Sequence, residues 1–171
     1  MALIKSVKGI QPKFGKNNYL AENATIVGNV KTGDSCSIWF SAVVRGDVNS
    51  ITLGDHVNIQ DGAVIHCTYK KFNTRLGSNI SIGHNAIIHG CTIHDNVLVG
   101  MGAIILDGAI IEKNSIIAAG SVVLEGEHVN SGSIYAGIPA KKVKELKEQD
   151  IRRLNQNLSK NYVMYSSWFN N

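Results

Sequence analysis

The stretch that decides the fold runs from Ile93 to Val129: IHDNVLVGMGAIILDGAIIEKNSIIAAGSVVLEGEHV. An aliphatic residue returns at every sixth place: Ile93, Val99, Ile105, Ile111, Ile117, Val123 and Val129. A helix repeats at 3.6 residues and a half-buried strand at two, so neither explains a period of six. A parallel β-helix does, because each hexad is then a short strand plus a corner, and three hexads close one triangular coil. Upstream the period continues through Leu20, Ile26, Thr32, Ile38 and Val44, then Leu53, Ile59 and Ile65, then Leu76, Ile82 and Ile88. Four places after many of these stands a small or β-branched residue, among them Ala24, Val30, Cys36, Ala42, Val57, Ala63, Ala86, Ala103 and Ala109. The predicted fold is an all-β solenoid spanning about residues 10–138, within a single domain covering residues 1–171.

Composition agrees. The 171 residues are 44% hydrophobic but only 6% aromatic, with 17 Gly and 2 Pro. That is a palette of β-formers and tight corners. Lys and Arg exceed Asp and Glu by four, too few for a nucleic-acid stripe, and the basic residues of 141–153 alternate with acidic ones as on a solvated face. No apolar run reaches the ~18 residues of a membrane span, and the first residues lack the features of a signal peptide. Cys36, Cys67 and Cys91 are an odd set without paired spacing, which points to free thiols in a reducing, cytoplasmic setting.

The period breaks in three places. Three residues are extra between Val44 and Leu53. Five are extra between Ile65 and Leu76, which predicts a protruding loop over Thr68 to Arg75. One is missing between Ile88 and Ile93. Beyond Pro139 the apolar residues Val143, Leu146, Ile151, Leu154, Leu158, Tyr162 and Tyr165 approach helical spacing, predicting one amphipathic helix from about Pro139 to Tyr165.

The register also aligns polar residues. Val44, Ile65 and Ile88 fall on one face in successive coils, so the residues after them, Arg45, His66 and His89, point outward in a stack. Ile59 and Ile82 share another face, and Asp61 and His84 follow each by two places. A lone outward histidine is more often a solvated surface residue. Two facing the same way on neighbouring strands, however, are within reach of one metal ion. His84 lies on a different face, so it can join that ion from a neighbouring chain more readily than from its own. His56, His94 and His128 have no such company and read as structural. Alternation turns Cys67 inward, toward packing.

With those residues in place, Trp39, Val44-Arg45-Gly46-Asp47, Asn58-Ile59-Gln60-Asp61-Gly62, His66, Gly83-His84, His89-Gly90-Cys91 and Gly100-Met101-Gly102 together resemble the γ-class carbonic anhydrases and their short bacterial relatives. The resemblance runs from about Gly9 through Tyr165. It implies a left-handed parallel β-helix of hexapeptide repeats with a C-terminal α-helix, assembled as a homotrimer with one metal site per interface. His66 and His89 would come from one subunit and His84 from the next. The ion it implies is Zn2+, with Fe2+ or Co2+ able to serve similar chemistry. It further implies that Arg45 and Asp47 form intersubunit ion pairs near the site, that Gln60 and Asp61 hold the metal-bound water or bicarbonate, and that Tyr162 approaches from the C-terminal helix. The implied activity is reversible hydration of CO2 to bicarbonate at a water whose pKa the metal lowers. The acidic proton-shuttle loop of the archaeal-type enzyme has no counterpart: neither Val48-Asn49-Ser50 nor Cys67 to Arg75 carries Asp or Glu. Proton export would then fall to buffer or water, and turnover would be weak. A hexapeptide-repeat acyltransferase, an acyl-CoA thioesterase and a non-catalytic metal-binding trimer stand as alternatives, because fold alone does not separate them.

Overall fold

The computed structural model describes residues 1–151 and 157–169. Its chain winds a left-handed parallel β-helix. Ile38, Ile59, Ile82, Val99 and Ile117 stack on one wall and are completely buried, and their strands pair in register as parallel neighbours. A second wall stacks Ile26, Val44, Ile65, Ile88, Ile105 and Val123 in the same way. The third carries Leu53, Leu76, Ile93, Ile111 and Val129.

Each short strand donates its N–H groups to the coil above. Val43 bonds to Ala63, Val64 to Ala86 and Ile87 to Ala103, all at 2.8–2.9 Å. The buried alanines Ala24, Ala42, Ala63, Ala86 and Ala103 form a column two places ahead of the second wall's aliphatic residues. Only a small side chain fits where the wall turns toward the core. At another corner His56, Asn79, Asn96 and Asn114 all adopt left-handed backbone, with φ of 55° to 62°. Asn and His tolerate that region better than most residues. His56 is therefore a corner residue.

The three extra residues between Val44 and Leu53 form no loop. Val43–Leu53 is one continuous strand, pairing with Val64–His66 at its start and with Thr74–Leu76 at its end. The extra residues carry it over a corner beside Thr25–Lys31, whose register shifts between Gly28 and Val30. There Gly28, with φ of 73°, and Gly46 lie back to back, and a Cβ on Gly28 would collide with the Gly46 carbonyl. Of the predicted loop, Thr68 to Asn73 leaves the wall, closed by the Thr68 N–H on the Phe72 carbonyl, whereas Thr74 and Arg75 already belong to the strand Thr74–Leu76.

The solenoid is longer than predicted and the helix shorter. At the N-terminal end Leu3–Lys5 pairs with Thr25, Ile26 and Val27. At the other end Lys141–Glu145 forms an antiparallel strand on Ser133–Ala136. All five of its residues are exposed, and it covers the edge of the last coil with lysines, a familiar way of blunting an edge strand. The helix predicted to start at Pro139 thus begins later, as α1 (Glu148–Ile151) and α2 (Asn157–Ser167). Leu154 lies outside the described residues. Val143 belongs to the strand and contributes nothing to a helical face. No described helix is long and apolar enough to cross a membrane.

Candidate metal centre

His66 and His89 end two paired strands, Val64–His66 and Ile87–His89, and face each other across one coil spacing as the register predicts. His66 Nδ1 lies 3.0 Å from His89 Nε2. The other nitrogen of each ring is engaged. His66 Nε2 lies 3.0 Å from Asp47 Oδ1, and His89 Nδ1 lies 2.6 Å from Asp107 Oδ1. A carboxylate only accepts, so each histidine donates its N–H to its aspartate. The two nitrogens that converge are then both bare lone pairs. Burial, with the Arg45 charge, lowers the His66 pKa below the ordinary histidine value despite Asp47, which favours the neutral ring. With each other ring nitrogen donating to its aspartate, these two face each other as lone pairs whenever neither carries a proton, an arrangement that a shared proton or a metal cation between them relieves. Tetrahedral ligands each ~2.0–2.1 Å from a zinc ion stand about 3.3 Å apart, so the spacing of this pair suits a divalent ion.

Asp47 also accepts from Arg45 Nη1 at 2.6 Å, so within the chain these two close on each other. Burial would raise the Asp47 pKa, but the hydrogen bonds from Arg45 and His66 outweigh it and hold the carboxyl below its usual range. The continuous strand Val43–Leu53 positions Asp47: the extra residues swing it over toward His66.

His84 does not join the pair within one chain, in keeping with its place on another wall. Among the described residues of a single chain no three side chains gather around one point for an ion. His84 Nδ1 sits 2.8 Å from Asp61 Oδ2, while Asp61 Oδ1 accepts from the Phe40 N–H at 3.2 Å. Asp61 therefore orients His84. Gln60 is buried beside it, its amide donating to Asn58 Oδ1 at 3.1 Å. Gln60, His84 and Tyr162 line one cavity of about 270 Å³ with Gly83, Met101 and Leu158. Tyr162, on α2, packs edge-on against Trp39 with ring centroids 5.4 Å apart. Burial, together with the Asp61 charge, raises its pKa and keeps the phenol protonated. The eight residues singled out from sequence thus form two clusters on one chain: Arg45, Asp47, His66 and His89, and separately Gln60, Asp61, His84 and Tyr162.

Asp107 and Thr68 were not foreseen. Thr68 Oγ1 donates to Asp107 Oδ2 at 2.5 Å. The signal available was Gly90: a residue without a side chain directly after His89, one coil before Leu106-Asp107-Gly108. Cys67, as alternation predicts, points into the core.

The outward side of the same wall is apolar. Val43, Val64, Ile87, Ile104 and Val122 stand in register, one per coil, and all are at least partly exposed. His66 and His89 rise from this face two residues further along their strands.

Comparison with known proteins narrows the class and then the family. Residues 90–125 match the bacterial transferase hexapeptide (six repeats) family, which agrees with the coil geometry. A probable carbonic anhydrase of Methanocaldococcus jannaschii is 54% identical over 144 residues, covering 84% of this chain and 90% of that protein. The mitochondrial gamma carbonic anhydrase 2 of Arabidopsis thaliana is 40% identical over 157 residues, covering 89% of this chain and 56% of that longer protein. A crystal structure of a putative acetyltransferase from Bacillus cereus superposes with a TM-score of 0.94 at 36% identity, covering 98% of this chain and 96% of that one. The chain belongs to the γ-class carbonic anhydrase family.

Proposed function

We propose that the protein is a metal-dependent carbonic anhydrase that interconverts CO2 and bicarbonate at sites shared between copies of the chain in a homotrimer, in the cytoplasm. One observation carries the reading: Asp47 and Asp107 each take an N–H from a histidine, leaving His66 Nδ1 and His89 Nε2 to face each other as lone-pair nitrogens 3.0 Å apart. His66 and His89 would hold a Zn2+ ion, or Fe2+ or Co2+, from one chain, and His84 of a neighbouring copy would complete the set. When bound, such an ion supplies the Lewis acidity that lets water lose a proton near neutral pH.

The chain's own residues do the rest. Asp47, Asp61 and Asp107 each fix one imidazole, so that all three rings offer a defined nitrogen. Gln60, held by Asn58, presents its amide to substrate. Tyr162, a neutral phenol, donates a hydrogen bond into the same cavity. Arg45 holds the second oxygen of Asp47 and keeps that carboxylate turned to His66. Met101 and Leu158 give the cavity an apolar side suited to CO2. No described acidic side chain of the 48–50 or 67–75 segments stands ready to export a proton, so buffer would carry it and the rate would rise with buffer concentration.

The row Val43, Val64, Ile87, Ile104 and Val122 supports assembly, since a contiguous apolar patch on an exposed wall marks a protein interface. It lies on the wall that bears His66 and His89, where a neighbour would have to deliver His84.

The test is metal analysis with parallel CO2-hydration and acetyl-CoA assays on wild type and His89→Ala. About one divalent ion per chain is expected in the wild type and none in the variant, with hydration lost alongside. A metal-replete wild type that binds no ion would overturn the reading. The name of the Bacillus cereus structure favours acyl transfer as the second reading; acetyl-CoA turnover that survives His89→Ala would establish it instead.

A further inference from the structure

We infer that Asp107, held in place by Thr68, is a positioning residue that locks His89 in the one tautomer able to face a metal ion. The inference rests on the metal reading above.

Asp107 sits one coil beyond His89 and reaches back to it past Gly90. A Cβ on Gly90 would collide with Asp107 Oδ1, so the gap left by the glycine is the route of that reach. Both carboxylate oxygens are committed: Oδ1 accepts from His89 Nδ1 at 2.6 Å and Oδ2 from the Thr68 hydroxyl at 2.5 Å. With both engaged, the carboxylate cannot rotate away. Donation from Nδ1 leaves the lone pair on Nε2, the nitrogen that points at His66.

Thr68 is itself anchored. It opens the protruding loop, its N–H bonded to the Phe72 carbonyl at 2.9 Å. The Phe72 ring lies over the Gly90–Gly108 corner, where a Cβ on Gly108 would stand 3.2 Å from Cε1. At the far end of the loop the Thr74 hydroxyl donates to the His66 carbonyl at 2.5 Å and accepts from the Gly90 N–H at 3.0 Å. The insertion therefore grips both metal-facing strands: Thr74 ties their backbones, and Thr68, through Asp107, sets the His89 ring. A carboxylate on the distal imidazole nitrogen orients a ligand and raises its basicity.

The experiment uses the full-length chain, with imidazole nitrogen NMR on the metal-free protein and zinc affinity by chelator competition. Wild type should show His89 as the Nδ1–H tautomer. Asp107→Ala should release it to a mixture and weaken zinc binding about 10- to 100-fold. Thr68→Ala should move both readouts in the same direction by less, and Thr68→Ser, which keeps the hydroxyl, should restore them. Should Asp107→Ala fail to fold, the Thr68 pair carries the test. An Nε2–H His89 in wild type overturns the proposal, and so does zinc affinity unchanged in both Asp107→Ala and Thr68→Ala. A wild type that shows the locked tautomer but takes up no zinc overturns the metal reading alone.

Discussion

At the residue scale the centre is built from carboxylate–histidine pairs. Asp47 serves His66, Asp61 serves His84 and Asp107 serves His89. His66 and His89 could be found from sequence because each directly follows an inward aliphatic residue and must face outward, and His84 because it stands two places after Ile82 on another wall. Asp47 came from the resemblance, Asp61 from its register with His84 as well, and within the chain the oxygens of Asp61 meet His84 and the Phe40 amide. Asp107 was out of reach because its contact crosses from one coil to the next over a corner, and periodicity does not report how far a side chain leans. Gly90 shows how narrow that corner is. With φ of 55° and no room for a Cβ, Gly90→Ala strains the backbone and displaces Asp107. It should cost about 1 kcal/mol or more in denaturant unfolding and lower zinc affinity at least as far as Asp107→Ala does.

At the scale of elements, a two-residue strand has little stability of its own, and the hexads persist by stacking. Ile82 is fully buried between Ile59 and Val99. Ile82→Ala should destabilise the fold by roughly 2–5 kcal/mol, measured by guanidinium unfolding, and an effect under ~1 kcal/mol would mean the coils do not share one core. The repeat was legible because the same packing problem recurs every six residues. The C-terminal segment was not, because Lys141–Glu145 is polar and exposed, so no periodicity distinguishes edge strand from helix there. Its choice depends on the open edge of the last coil, which exists only once the solenoid is built. On α2, Tyr162→Ala should expose Trp39 and red-shift its fluorescence, read in a Trp168→Phe background so that only Trp39 emits.

At the scale of the whole molecule, the proposed shared site requires the two clusters of neighbouring chains to meet. Ile87→Glu places a charge in the outward apolar row. It should convert the proposed trimer to monomers in sedimentation and abolish zinc uptake. Zinc retained by a monomer would refute a shared site. Alkaline stability is a second global property. Burial pushes the thiols of Cys36 and Cys91 from an ordinary 9.0 to about 11 and about 12. Above pH ~9 the unfolded chain loses these protons while the folded chain keeps them, so unfolding is favoured as pH rises. Each thiol contributes a fall of about 1.4 kcal/mol per pH unit, ending as pH passes its folded value. The denaturant midpoint should drop between pH 9 and 11, and a Cys36→Ala, Cys91→Ala double variant should flatten that slope.

The sequence by itself determined the coil, its register and the outward histidines, because each follows from a local rule repeated every six residues. Only the tertiary structure decided which carboxylate each histidine meets, that the first insertion is a strand bending over a corner, and that the last coil ends in an edge strand. Those features depend on distances between coils and on which edges remain open, and neither is written in the spacing of residues along one chain.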